Sequence, residues 1–105
     1  MTKVTIYKNV KNECVGFKAL GHAGYAEEGE DIVCASVSSA AYMTANTITE
    51  VLGVNAQIEV SDAKMKLIVN KEQRHITKDI LLGLKLHLDS LAEDYPKFLE
   101  TLTEV

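Results

Sequence analysis

The chain is short of most features that announce a function. Among its 105 residues there are two cysteines, Cys14 and Cys34, and one proline, Pro96. Two cysteines are too few for a disulfide scaffold. No Cys-x-x-Cys is present, which removes the usual dithiol redox motif, and no His-x-x-x-His supplies a tight pair of metal ligands. No Gly-x-x-x-x-Gly-Lys loop is present to cradle a phosphate. No apolar run is long enough to span a bilayer, so no membrane partner is expected. Basic charge is also lacking. The formal net charge of −4 argues against direct nucleic-acid binding, and Lys3, Lys8, Lys11 and Lys18 are scattered rather than gathered on one face. The start, Met1 to Ile6, alternates polar and apolar and does not read as a signal peptide. A cytoplasmic protein with two free thiols is therefore expected.

What remains is an ordinary globular composition, 47 % hydrophobic and 25 % charged, enough for one domain over residues 1–105 with a single modest core. Val4 to Lys8 and Cys14 to Leu20 alternate as strands around a turn at Asn9 to Asn12, and read as an antiparallel hairpin. From about Val33 to Leu52 the period becomes helical, with Gly53 as a stop signal. Gln57 to Val60 and Lys64 to Val69 form a second hairpin about Ser61-Asp62-Ala63. A second helix follows from about His75 to Glu93, with Ile80, Leu84, Leu88 and Leu91 on its core face. Pro96 ends it, and Lys97 to Leu102 is expected to be a short turn. The order β-β-α-β-β-α predicts a two-layer α+β fold, with a largely antiparallel four-stranded sheet covered by helices. Leu82 and Leu86 fall on the far side of the second helix. That surplus of apolar surface predicts a homodimer.

Chemistry concentrates between Gly21 and Ser38. Gly21-His22-Ala23-Gly24-Tyr25 breaks the strand pattern, and Gly21 to Glu30 is expected to be a loop that opens without substrate and orders on binding. Cys34 is expected in the first turn of the first helix. Unpaired N–H groups there would favour a thiolate and hold an oxyanion, against the acidic cluster of Glu27, Glu28, Glu30 and Asp31. His22 is a candidate base. Asp31, three residues before Cys34, is placed either to cap the helix or to orient His22. Ser38 lies one turn beyond Cys34 on the same face. Cys34, Ser38, Ala41 and Ala45 make a stripe of small side chains that admits close approach. Each residue also has a plainer reading: Cys34 as a buried filler, His22 as a solvated loop residue, and Cys14, His75 and His87 as structural or surface groups. His22, Cys34, Asp31 and Cys14 are suitable zinc ligands by type, but their spacing is unlike a zinc site. No metal or other cofactor is expected.

Gly21-His22-Ala23-Gly24-Tyr25-Ala26, followed by Gly29-x-Asp31-Ile32-Val33-Cys34-Ala35-x-Val37-Ser38, resembles the bacterial ribosomal-processing cysteine protease (Prp) family. The resemblance extends over the whole chain in length and element order. It implies a small homodimer with a two-layer α+β fold and a Cys/His dyad on Cys34 and His22. Asp31 and Ser38 fall on further motif positions as supporting residues. Gly21, Gly24, Tyr25 and Gly29 fall in the substrate-binding loop. The implied task is removal of a short N-terminal extension from a large-subunit ribosomal protein precursor, after an aromatic residue, through a thioester. The readings that compete with it are a non-catalytic ribosome-associated binding module and a zinc-binding domain.

Overall fold

A computed structural model describes the backbone of residues 1–21 and 28–105, and the side chains of the same residues except 28–31. Strands β1 (Thr2–Lys8) and β2 (Cys14–Leu20) pair antiparallel. The Asn9 side chain accepts from the backbone N–H groups of Lys11 and Glu13, both at 3.0 Å, and so builds the turn between them. Helix α1 (Glu28–Asn46) continues through a wider π-helical segment, Thr47–Val51. Gly53 then takes φ +64° while the Val54 N–H reaches back to the Ile48 carbonyl at 2.9 Å, so the expected glycine stop is a left-handed cap. The hairpin β3 (Ala56–Ser61) and β4 (Lys64–Val69) follows, then α2 (Arg74–Asp94) and β5 (Leu99–Glu104).

These elements form one five-stranded sheet in the order β3-β4-β2-β1-β5. The α+β class and the two layers match the sequence reading, but the sheet is larger and mixed. The segment expected to be a terminal turn is β5, which runs parallel to β1 from Thr2↔Leu99 to Tyr7↔Glu104. Its pattern was weak because only Leu99 in it is buried. Pairing with β1, rather than burial of an apolar face, holds it.

Both helices lie on one face of the sheet. Val33, Val37, Ala41, Ala45 and Ile48 descend from α1 and its π turn. Leu81, Leu84 and Leu88 come from α2, and they meet Val4, Ile6, Phe17, Met65, Leu67 and Val69 of the sheet. Ile80 and Leu91, expected on the α2 core face, pack at its margin, while Leu81 takes a central place. Gly16 permits the tight centre of the sheet, since a Cβ there would run into the Leu67 carbonyl and the Ile68 side chain. No helix among the described residues is long and apolar enough to cross a membrane.

Candidate active site

Four elements converge where β2 leaves the sheet. Thr2 opens β1, Gly21 follows β2, Cys34 and Ser38 come from α1, and Ser61, Ala63 and Lys64 come from the turn of the β3–β4 hairpin. Together they line a cavity of about 140 Å³, with Ala41 and Tyr42 on the α1 side. The Cys34 Sγ is half-buried in its wall. Thr2 Oγ1 lies 2.9 Å from that sulfur. Gly21 is fixed by its N–H, which donates to the Ala63 carbonyl at 2.8 Å. A Cβ built on Gly21 would stand 3.6 Å from the Cys34 Sγ. Gly21, Cys34 and Ser38, singled out from the sequence, are thus neighbours in space.

The stripe of small side chains finds its purpose here. Cys34, Ser38 and Ala41 face the cavity, while Ala45 sits deeper in the core. Bulk at these positions would fill the space beside the sulfur.

The helix begins earlier than its apolar periodicity suggests, and this alters three expectations. Cys34 is the seventh residue of α1, nearly two turns in, and not in the first turn. There the backbone N–H joins the intrahelical ladder and the helix dipole has faded, so neither thiolate stabilisation nor an oxyanion site comes from a helix start. Asp31 is the fourth helical residue and cannot be the N-cap. Gly29 and Glu30 are helical rather than part of the loop. His22, Gly24 and Tyr25 lie outside the described residues, as does the rest of the expected loop up to residue 27.

Among the charged groups, Lys64 lines the cavity and is paired with Glu59 at 3.3 Å. Cys14 is only 3 % exposed, and burial pushes its thiol up, against the opposing charges of Lys8 and Lys85. It starts β2 whereas the cavity lies past the strand's other end. That puts the two cysteines roughly 20 Å apart at strand rise, too far for a disulfide or a shared metal. Both are free. His75 and His87 are exposed on α2. Thr2, Tyr42 and Lys64 are cavity residues that sequence reasoning missed. For Thr2 a signal existed, since it falls in phase with the inward-facing Val4 and Ile6.

A model of the family described as cysteine protease Prp matches residues 1–100. The chain belongs to the cysteine protease Prp family. It is accordingly a cysteine protease, a peptide-bond hydrolase. The ribosomal processing cysteine protease Prp of Bacillus subtilis (strain 168) is 22 % identical over 111 residues, spanning 100 % of this chain and 99 % of that protein. The fold matches a crystal structure of the essential ribosomal processing protease Prp from S. aureus with a substrate peptide. The TM-score is 0.89 and the identity 22 %, covering 98 % of this chain and 99 % of that one. The same S. aureus protease with a covalently linked product peptide gives a TM-score of 0.84 at 23 % identity, again over 98 % and 99 %.

Proposed function

We propose that this chain is a cytoplasmic endopeptidase that removes the N-terminal extension of a large-subunit ribosomal protein precursor. The observation that carries the reading is the Cys34 sulfur opening on a cavity beside Gly21, the residue that precedes His22 in the Prp-like signature. The names of the B. subtilis and S. aureus relatives support ribosomal processing. The covalently linked product peptide in the latter supports covalent chemistry.

The mechanism is acyl transfer by a Cys34/His22 dyad. His22 takes the Sγ proton, and the thiolate attacks the scissile carbonyl carbon. The tetrahedral intermediate collapses to a thioester as His22 protonates the departing amine. Water, losing a proton to His22, then attacks the thioester, releases a carboxylate and restores the thiol. Because Cys34 sits inside the helix, its own N–H groups are not the oxyanion donors. Ser38, one turn on and lining the same cavity, is assigned to that task. Asp31, relieved of the capping role, is assigned to orienting His22. Gly21, Gly24 and Tyr25 are assigned to the substrate peptide, and the assembly to a homodimer.

The test is incubation with the ribosomal protein precursor of the same cell, followed by mass spectrometry of the new N-terminus. Cys34→Ala is expected to cut at least about 10³-fold more slowly with an unchanged circular dichroism spectrum. A folded Cys34→Ala variant that still trims the precursor would exclude the assignment and favour a role for Cys34 in packing only.

A further inference from the structure

We infer that the Thr2 hydroxyl is a thiolate-supporting group of this protease, donating its hydrogen bond to the Cys34 sulfur. The inference rests on Cys34 being the nucleophile. Thr2 is 1 % exposed, and its Oγ1 lies 2.9 Å from Cys34 Sγ, a partner 32 residues away in sequence. Geometry alone leaves the donor open. Chemistry decides it. A hydroxyl carries one proton to donate, and a thiol is a weak donor. Cys34 Sγ is the partner that the structure gives Thr2 Oγ1, and no buried side-chain oxygen or nitrogen among the described residues lacks a partner. A thiolate carries no proton, so in the charged form the hydroxyl is the donor and the sulfur the acceptor. The bond strengthens when the sulfur becomes an anion, and a hydrogen bond to the charged form favours that form.

The position of the hydroxyl is fixed from behind. The Thr2 N–H donates to the Phe98 carbonyl at 2.8 Å, and Thr2 pairs with Leu99 at the start of β5. The C-terminal strand thus sets where the hydroxyl stands, and rotation of the Cys34 side chain away from the cavity breaks the contact. Thr2 takes over part of the thiolate support that a helix start would have supplied. Among the described residues, the other titratable groups lining the cavity are Lys64, which is paired with Glu59, and Tyr42 of α1. His22 follows Gly21 in sequence and lies outside the described residues. Neither Lys64 nor Tyr42 changes in the variants below, so differences between variants report the hydroxyl.

The experiment is iodoacetamide alkylation of the full chain across pH 5 to 10, with the label located on Cys34 by peptide mass spectrometry to separate it from Cys14. Thr2→Val, which keeps the branched shape, and Thr2→Ala, which does not, both remove the hydroxyl. Thr2→Ser retains it. The pH of half-maximal alkylation is expected to rise by about half to one unit in T2V and T2A and to stay with the parent in T2S. Peptide cleavage is expected to lose about tenfold in kcat with little change in KM for the hydroxyl-free variants. If T2V does not fold, the T2A and T2S profiles carry the same comparison. Coincident profiles for hydroxyl-bearing and hydroxyl-free variants, or a shift to lower pH, would overturn the inference. Failure of the nucleophile assignment is read separately, from cleavage by Cys34→Ala.

Discussion

Gly21 borders the Cys34 sulfur in the cavity wall. It needs no left-handed backbone, so its small size is the property in use. An added methyl would lie 3.6 Å from Sγ, an ordinary contact distance, and would not force the fold apart. It would instead occupy space on the cavity side of the sulfur. Gly21→Ala is therefore expected to melt within about 2 °C of the parent, while Cys34 alkylation and precursor cleavage each slow about tenfold. Equal alkylation rates in the two proteins would show that Gly21 does not border the attack path. At this scale the sequence was readable where chemistry is local. Gly21, Cys34 and Ser38 follow from types and spacing within eighteen residues. For Thr2 the strand phase shows only that it faces inward with Val4 and Ile6, while its partner on α1 is set by the fold.

Elements were legible where an apolar face met the core, and illegible where something else held the backbone. Four strands and α2 appear within a residue or two of their expected bounds. The first turns of α1 were hidden because Glu28, Gly29, Glu30 and Asp31 carry no apolar period before the helix meets the core at Val33. Carboxylates in a first helical turn suit the positive end of the dipole, so those residues fit a helix start as well as a loop. β5 was hidden for a related reason, since its one buried side chain leaves hydrogen bonds and a polar tie to α2 to hold it. In that tie Asp89 accepts from Thr101 at 2.8 Å and from Lys85 at 2.6 Å. Partial burial pushes the Asp89 carboxyl up, but the hydrogen bonds from Lys85 and Thr101 and the charges of Lys85 and Lys8 prevail and hold it below the usual carboxylate range. A carboxyl lowered on folding stabilises the protein at pH above its unfolded value, and that contribution fades as pH falls through the ordinary carboxylate range towards the folded value. Asp89→Asn removes it. The parent is thus expected to exceed Asp89→Asn in stability by about 0.5–1 kcal/mol at neutral pH, after screening of a partly exposed pair. Urea titrations from pH 7 to pH 2.5 should show the two curves converging in acid. A gap that persists unchanged at the acid end would mean that the Asp89 charge contributes nothing.

At the scale of the whole molecule, the two layers leave several apolar side chains on the helices about half exposed among the described residues. Leu82 and Leu86 stand one turn apart on α2, 43 % and 58 % exposed, and Met43 on α1 is 55 % exposed. Between the two helices runs a shallow groove lined by Ala35, Ser36, Ser39, Ala40, Met43 and His87, mostly small side chains that let another surface approach closely. Exposed leucines spaced by four residues on α2, and a groove of small side chains between the helices, are features that a symmetric second copy can cover with the same residues. The exposure of Leu82 and Leu86 follows from the sequence pattern, but the groove beside α1 does not, because periodicity does not show which helix faces adjoin. The cavity beside Cys34 and Ser38 is lined by a different set of α1 residues from the groove, so the groove can be covered while that cavity stays accessible. Equilibrium sedimentation at micromolar concentration is expected to give twice the chain mass for the parent and the single-chain mass for Leu86→Lys, whose charge would be buried unpaired in such an interface. A parent that sediments as a monomer would leave the exposed leucines without the second copy assigned to them. A folded monomeric Leu86→Lys variant that retained full cleavage would show that the dimer is not needed for catalysis.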